Sequence, residues 1–150
     1  MAVSVPPALL SAMYQDQLLA EYRAPCNRRQ MADATTRAER SNPMCGDALC
    51  VMVLEADAQL ADVSFTGHGC SLAIASASLL TQVVWRRRRR DALAMVTAVE
   101  AMLAGSSPHD GAWASALEPL RGVAPFPARH GCVMMPWLAL REALEPSLLD

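Results

Sequence analysis

Three cysteines constrain this chain more than any other feature, because each stands where a turn gives way to a regular element. Cys45 lies in Asn42-Pro43-Met44-Cys45-Gly46-Asp47, ahead of an apolar, strand-like run. Cys70 ends Gly67-His68-Gly69-Cys70 and opens a stretch rich in alanine and serine. Cys132 follows Phe126-Pro127-Ala128-Arg129-His130-Gly131 and opens the last amphipathic segment. With Asp47 they make three thiols and one carboxylate, the donor set of a closed four-coordinate zinc site. A fold that uses them together must bring three distant junctions to one point.

The remaining composition narrows the function classes. A chain of 150 residues is long enough for one domain with a substantial core. The formal net charge of −2 supplies no global attraction to nucleic acid or membrane. All 13 strongly basic residues are arginine, which excludes Schiff-base lysine chemistry and a Walker-A phosphate loop. Met1 to Met13 lacks a basic leader and a cleavage site, so no signal peptide is expected. No apolar run reaches membrane-spanning length. The five cysteines are odd in number and the expected compartment is reducing and cytoplasmic, which favours metal binding or catalysis over a disulfide framework.

Periodicity then predicts the elements. Leu10, Tyr14, Leu18 and Tyr22 recur at helical spacing, predicting a helix over 9–22 that stops before Pro25. Residues 28–33 read as a polar connection and 34–41 as an edge strand. Ala48 to Glu55 and Leu60 to Thr66 read as the arms of a hairpin turning at Asp57-Ala58. After Cys70 the pattern becomes helical through Leu72, Ala75, Leu79 and Val83, and Arg86 to Arg90 interrupts it. Asp91 is the expected N-cap of a helix to Ala104. Gly105 to Gly111 is a loop, and a short helix is expected over 113–120. The last helix carries Val133, Trp137, Leu140 and Leu144, with Pro136 tolerated because it falls in the first turn or so. The expected fold is α+β: a small antiparallel sheet of about three strands packed against several α-helices, in a single domain over 1–150.

Taken in order, the Asn42–Asp47 motif, Gly67-His68-Gly69-Cys70-Ser71 with Ala75-Ser76-Ala77-Ser78, and Phe126-Pro127-Ala128-Arg129 before Cys132 resemble the SufU/IscU (NifU N-terminal-like) family. The resemblance runs from about Met13 to Leu144, and the Ser106-to-Pro125 insertion is similar to the SufU branch. It implies iron–sulfur cluster biogenesis, with zinc held by Cys45, Asp47, Cys70 and Cys132. It further implies that Cys45 accepts persulfide sulfur from a SufS-type cysteine desulfurase and passes it to a downstream iron–sulfur assembly scaffold. The alternative it implies is a scaffold that builds a [2Fe–2S] cluster on the same thiolates. Relatives of the SufU type carry lysine just before the final cysteine, where this chain has Gly131.

The chemistry of the residues agrees. A thiolate is the nucleophile in sulfur exchange, and a coordinating metal ion deprotonates a thiol. Cys70 and Cys132, at expected helix N-termini, face the positive end of a helix dipole, worth about 0.3–1 kcal/mol when exposed. Three thiolates and a carboxylate on a divalent ion leave a negative shell, and Arg129 is the expected counter-charge. Asp47 is its expected weak point. Cys26 and Cys50 read as structural, and His68 and His130 as solvated loop residues. The Arg86–Arg90 run reads as a solvated connection, or as an electrostatic dock for an acidic patch on the desulfurase.

Overall fold

The computed structural model describes residues 7–43, 46–106 and 112–145. Helix α1 (Pro7–Arg23) leads into strands β1 (Thr36–Asn42), β2 (Asp47–Ala56) and β3 (Gln59–His68), followed by helices α2 (Ser71–Val84) and α3 (Arg89–Leu103). A short α4 (Ala112–Leu117) runs into 3-10 turns at Glu118–Val123 and Pro127–Arg129, and α5 (His130–Leu144) completes the chain. The three strands form one antiparallel sheet in the order β1-β2-β3. This is the α+β architecture expected. No helix of the described residues is long and apolar enough to cross a membrane.

Local chemistry explains the hairpins. Asp57 and Ala58 both have positive φ, the combination a two-residue turn needs to match the twist of its strands. At the other end Gly67 (φ +117°) passes so close to β2 that an added Cβ would lie 2.2 Å from the Ala48 carbonyl oxygen. Only glycine fits there.

Alternation sorts the strand residues. Leu49, Val51 and Val53 of β2, with Val63 and Phe65 of β3, face the helices and are fully buried in the main apolar cluster. Residues 24–35 do more than connect. Arg29 N–H donates to the Phe65 carbonyl and Phe65 N–H to that of Asn27, so the free edge of β3 is paired. Thr35 N–H donates to the Val53 carbonyl, and Arg37 donates to that of Met31.

Helix α2 is the centre of the helical layer, with Ala73 to Thr81 buried without a break. Its small side chains admit close neighbours, and its two buried serines, Ser76 and Ser78, are hydrogen-bonded to them. Ser76 Oγ donates to the Val133 carbonyl (2.7 Å) and accepts from Trp137 Nε1 (2.9 Å), locking α2 to α5. Ser78 Oγ donates to Glu21 (2.7 Å) and accepts from Cys26 N–H (2.8 Å), locking α2 to α1.

Three local expectations change. Arg88, not Asp91, is the N-cap of α3, and its side chain makes no capping bond. Asp91 sits in the first turn, where a negative charge meets the positive end of the dipole. Pro119 cannot donate to an α-helical ladder, and the chain leaves α4 for a 3-10 turn around it. Helix α5 already begins at His130, so Pro136 falls in its second turn and not its first. The expected loop over 105–111 lies partly outside the described residues.

Candidate metal centre

The start of β2, the N-cap of α2 and the first turn of α5 meet at one end of the sheet. Asp47 opens β2 opposite Asn42, after Gly46 has reversed the chain with a positive φ and an N–H bond to the Asn42 carbonyl (2.8 Å). Its parity with Leu49 turns its side chain toward the helices, and the residue is 8% exposed. Cys70 is the N-cap of α2, with extended backbone angles and no side-chain capping bond. Its thiol is therefore not committed to the helix end. Asp47 Oδ2 instead accepts the Cys70 N–H at 3.0 Å, so the carboxylate pins the junction that carries the thiol. Cys132, buried, is the third residue of α5.

One ligand atom from each of Asp47, Cys70 and Cys132 lies within 4.8 Å of the others. Zinc–sulfur bonds of about 2.3 Å set tetrahedral sulfurs about 3.8 Å apart, so the three donors need to contract by no more than about an ångström. Two sulfurs and a carboxylate oxygen suit zinc, and the sulfurs also suit iron–sulfur chemistry. Cys45, the fourth expected donor, lies outside the described residues. Gly69 keeps the space clear: an added Cβ would stand 3.1 Å from Ala73 Cβ and 3.5 Å from the Asp47 carboxylate. Gly131 is under no such pressure, its nearest neighbour being Asn42 Nδ2 at 3.7 Å from an added Cβ.

The other residues singled out by the sequence fall outside this cluster. His68 is exposed at the end of β3. His130 is half-buried, and its Nε2 lies 2.9 Å from the Ala124 carbonyl. That bond ties the 3-10 segment to the start of α5. Arg129 is exposed at the N-cap of α5. Cys26 is half-buried in the turn after α1. Cys50 faces away from the helices between Glu39 and Thr66. Burial pushes the Cys50 thiol up, with Arg37 opposing and Glu39 adding. Both are remote from the cluster's role.

Sequence reading did not find the cleft beside the centre. About 420 Å³ in volume, it runs from Tyr14 and Leu18 of α1 past Leu72 of α2 to Val123, Phe126 and Arg129. Phe126 is 57% exposed at its lip. Helical spacing put Tyr14 and Leu18 on one face, but nothing local says that the 3-10 segment arrives opposite them. Tyr14 donates to Glu118 (3.0 Å), which also pairs with Arg121 (2.8 Å), and this holds the far wall.

Comparison with known proteins accords with the geometry. The chain is 33% identical over 91% of its length to the zinc-dependent sulfurtransferase SufU of Bacillus subtilis, covering 92% of that protein. It is 32% identical over 77% of its length to the iron-sulfur cluster assembly scaffold protein IscU of Streptococcus pyogenes, covering 72% of it. The crystal structure of a putative SUF-system scaffold protein from Fervidobacterium islandicum superposes with a TM-score of 0.81 at 23% identity, over 93% of this chain and 100% of that one. That likeness concerns the fold. A profile of the NifU-like N terminal domain matches residues 13–133. The chain belongs to the NifU-like N-terminal domain family, the group of SufU and IscU.

Proposed function

We propose that the protein is a zinc-dependent sulfurtransferase of iron–sulfur cluster assembly, accepting persulfide sulfur from a SufS-type cysteine desulfurase in the cytoplasm. The observation that carries this is the meeting of a buried carboxylate with two thiols at one end of the sheet. An oxygen donor among sulfurs suits a closed zinc shell, whereas iron–sulfur clusters are held chiefly by cysteine thiolates. The SufU relative, similar over nearly the whole of both chains, supports the same reading.

Asp47, Cys70, Cys132 and Cys45 would hold the ion, which would keep the coordinating sulfurs as thiolates. Cys45 is the acceptor, since Cys70 and Cys132 are built into helix starts and Asp47 is bonded to the Cys70 backbone. The Cys45 thiolate attacks the outer sulfur of the donor's persulfide. A new S–S bond forms to Cys45, the donor's S–S bond breaks, and the donor cysteine leaves as a thiolate, with no net oxidation. Arg129, exposed three residues before Cys132, supplies positive charge at the approach. A downstream iron–sulfur scaffold would receive the sulfur.

The test adds zinc-loaded protein to a cysteine desulfurase with cysteine and measures turnover. A rise that disappears in Cys45→Ala supports transfer. Unchanged turnover, with cluster absorbance developing on Cys70 and Cys132 after iron and sulfide are supplied, supports the second reading: a [2Fe–2S] assembly scaffold. The IscU relative favours that second reading.

A further inference from the structure

The segment from Trp85 to Arg90 is exposed without interruption and carries five of the 13 arginines. The fold gains little from most of them. Arg86 has a positive φ of 65°, a conformation glycine adopts without strain. It is held there because Arg86 N–H donates to the Leu60 carbonyl and Leu60 N–H to that of Arg87 (both 2.8 Å). Arg88 occupies the N-cap of α3, where serine, threonine or aspartate would cap the helix. Arg89 and Arg90 add positive charge to the end of α3 that is already positive. Arg87 Nε donates to the Val83 carbonyl at 3.4 Å and Arg90 lies 3.9 Å from Asp91, whereas the Arg89 guanidinium grips Glu55 through two bonds of 2.6 and 3.3 Å.

Trp85 opens this segment and is 48% exposed. Its indole N–H donates to the Ala61 carbonyl (3.1 Å), and the Arg86 guanidinium lies 4.3 Å from its ring centroid. The ring is thus held in place with one face covered. An open cleft of about 400 Å³ lies between Trp85, Arg86 and Arg87 on one side and Trp113 on the other. Exposed tryptophan and arginine around a hollow are the composition of interface hot spots.

We propose that this surface docks an acidic segment of a partner protein: carboxylates on the arginines, with an apolar side chain in the hollow between the two tryptophans. Arg89 with Glu55 already displays the carboxylate geometry. A polypeptide fits better than nucleic acid because Trp85 is pinned and covered on one face, and because the chain's net charge of −2 repels a long polyanion beyond the patch. Helix α2 separates the surface from the metal centre: Cys70 caps one end, Trp85 the other, and the 14 residues between span about 21 Å. A partner held here leaves the cysteines accessible, and the proposal stands whether or not they carry sulfur.

The experiment titrates the full chain into a fluorescein-labelled peptide of glutamates flanking one leucine, followed by anisotropy at low and raised salt. Its glutamine counterpart, oligo-dT and phosphatidylserine vesicles are the comparison ligands. The expected result is salt-sensitive binding of the glutamate peptide, at least about tenfold weaker for Arg87→Ser/Arg88→Ser and for Trp85→Ala. Arg23→Ser/Arg37→Ser, which removes the same charge elsewhere, should leave it nearly unchanged. Arg88→Ser places a preferred capping residue on α3, so lost binding with unchanged circular dichroism cannot come from misfolding. Absent binding, equal binding of the glutamine peptide, equal weakening by the control pair, or tighter binding of DNA or vesicles would each overturn the proposal.

Discussion

Asp47 has two separable tasks, and two substitutions divide them. Its Oδ2 accepts the Cys70 N–H at 3.0 Å in a site where the residue is 8% exposed. A hydrogen bond to a charged group contributes about 1.5–3 kcal/mol, and a buried donor left unmade costs about 1–3 kcal/mol. Asp47→Ala should therefore destabilise the metal-free protein by about 2 kcal/mol, or about 4–8 °C in Tm for a chain of this size. Asp47→Asn keeps an oxygen for the Cys70 N–H and should lose less than about 1 kcal/mol. The second task appears only with zinc. At free zinc a hundredfold above Kd the wild-type protein gains about 2.7 kcal/mol. Both variants should lose at least half of that gain, because neither supplies an anionic oxygen. Thermal and urea unfolding followed by circular dichroism, in chelator and then in buffered zinc, separates the two effects. If Asp47→Ala matches wild type in chelator, the bond to Cys70 does not stabilise the helix start. If Asp47→Asn gains as much from zinc as wild type, the carboxylate is not a ligand.

Gly67→Ala would put a Cβ 2.2 Å from the Ala48 carbonyl oxygen at a φ of +117°. A loss on the order of 3 kcal/mol is expected, seen as a lower urea midpoint. Ser76→Ala strands the indole N–H of the fully buried Trp137. A cost of about 1–3 kcal/mol should follow, with a change in near-ultraviolet circular dichroism from the tryptophan. Cys50, whose thiol burial pushes up with Arg37 opposing and Glu39 adding, should alkylate more slowly near pH 8.5 than free cysteine when followed by peptide mass spectrometry. The folded state holds this proton more tightly than the unfolded state, so its contribution to stability falls as pH rises through the thiol range. An alkylation rate equal to that of free cysteine would remove the basis for both statements.

The elements were legible because their signals are local. The switch from two-residue alternation in 48–66 to helical spacing after Cys70 placed β2, β3 and α2 within a few residues of their bounds. The Asp57-Ala58 turn was legible for the same reason. Signals that depend on a partner were not. The segment after α1 looks like a polar connection although Asn27 and Arg29 offer backbone groups to Phe65, because backbone groups leave no mark on side-chain pattern. Ser76 and Ser78 look like breaks in an apolar face until Val133, Trp137 and Glu21 are seen to satisfy them. Asp91 looks like a cap because the helix it was expected to start begins earlier, at Arg89, where the pairing of Leu60 with residues 86 and 87 ends.

The candidate centre divides the same way. By residue type and by position at turn boundaries, the sequence alone determined which side chains are suited to a soft, divalent ion, since donor chemistry belongs to the side chain itself. Only the tertiary structure decided that Asp47, Cys70 and Cys132 meet within 4.8 Å, and that His130, expected as a solvated loop residue, is half-buried against the Ala124 carbonyl. It also decided that a cleft opens next to the meeting point. The reason is physical: the separation of donors is set by how α2 and α5 pack on the sheet, through contacts such as Ser76 with Trp137, between residues far apart along the chain.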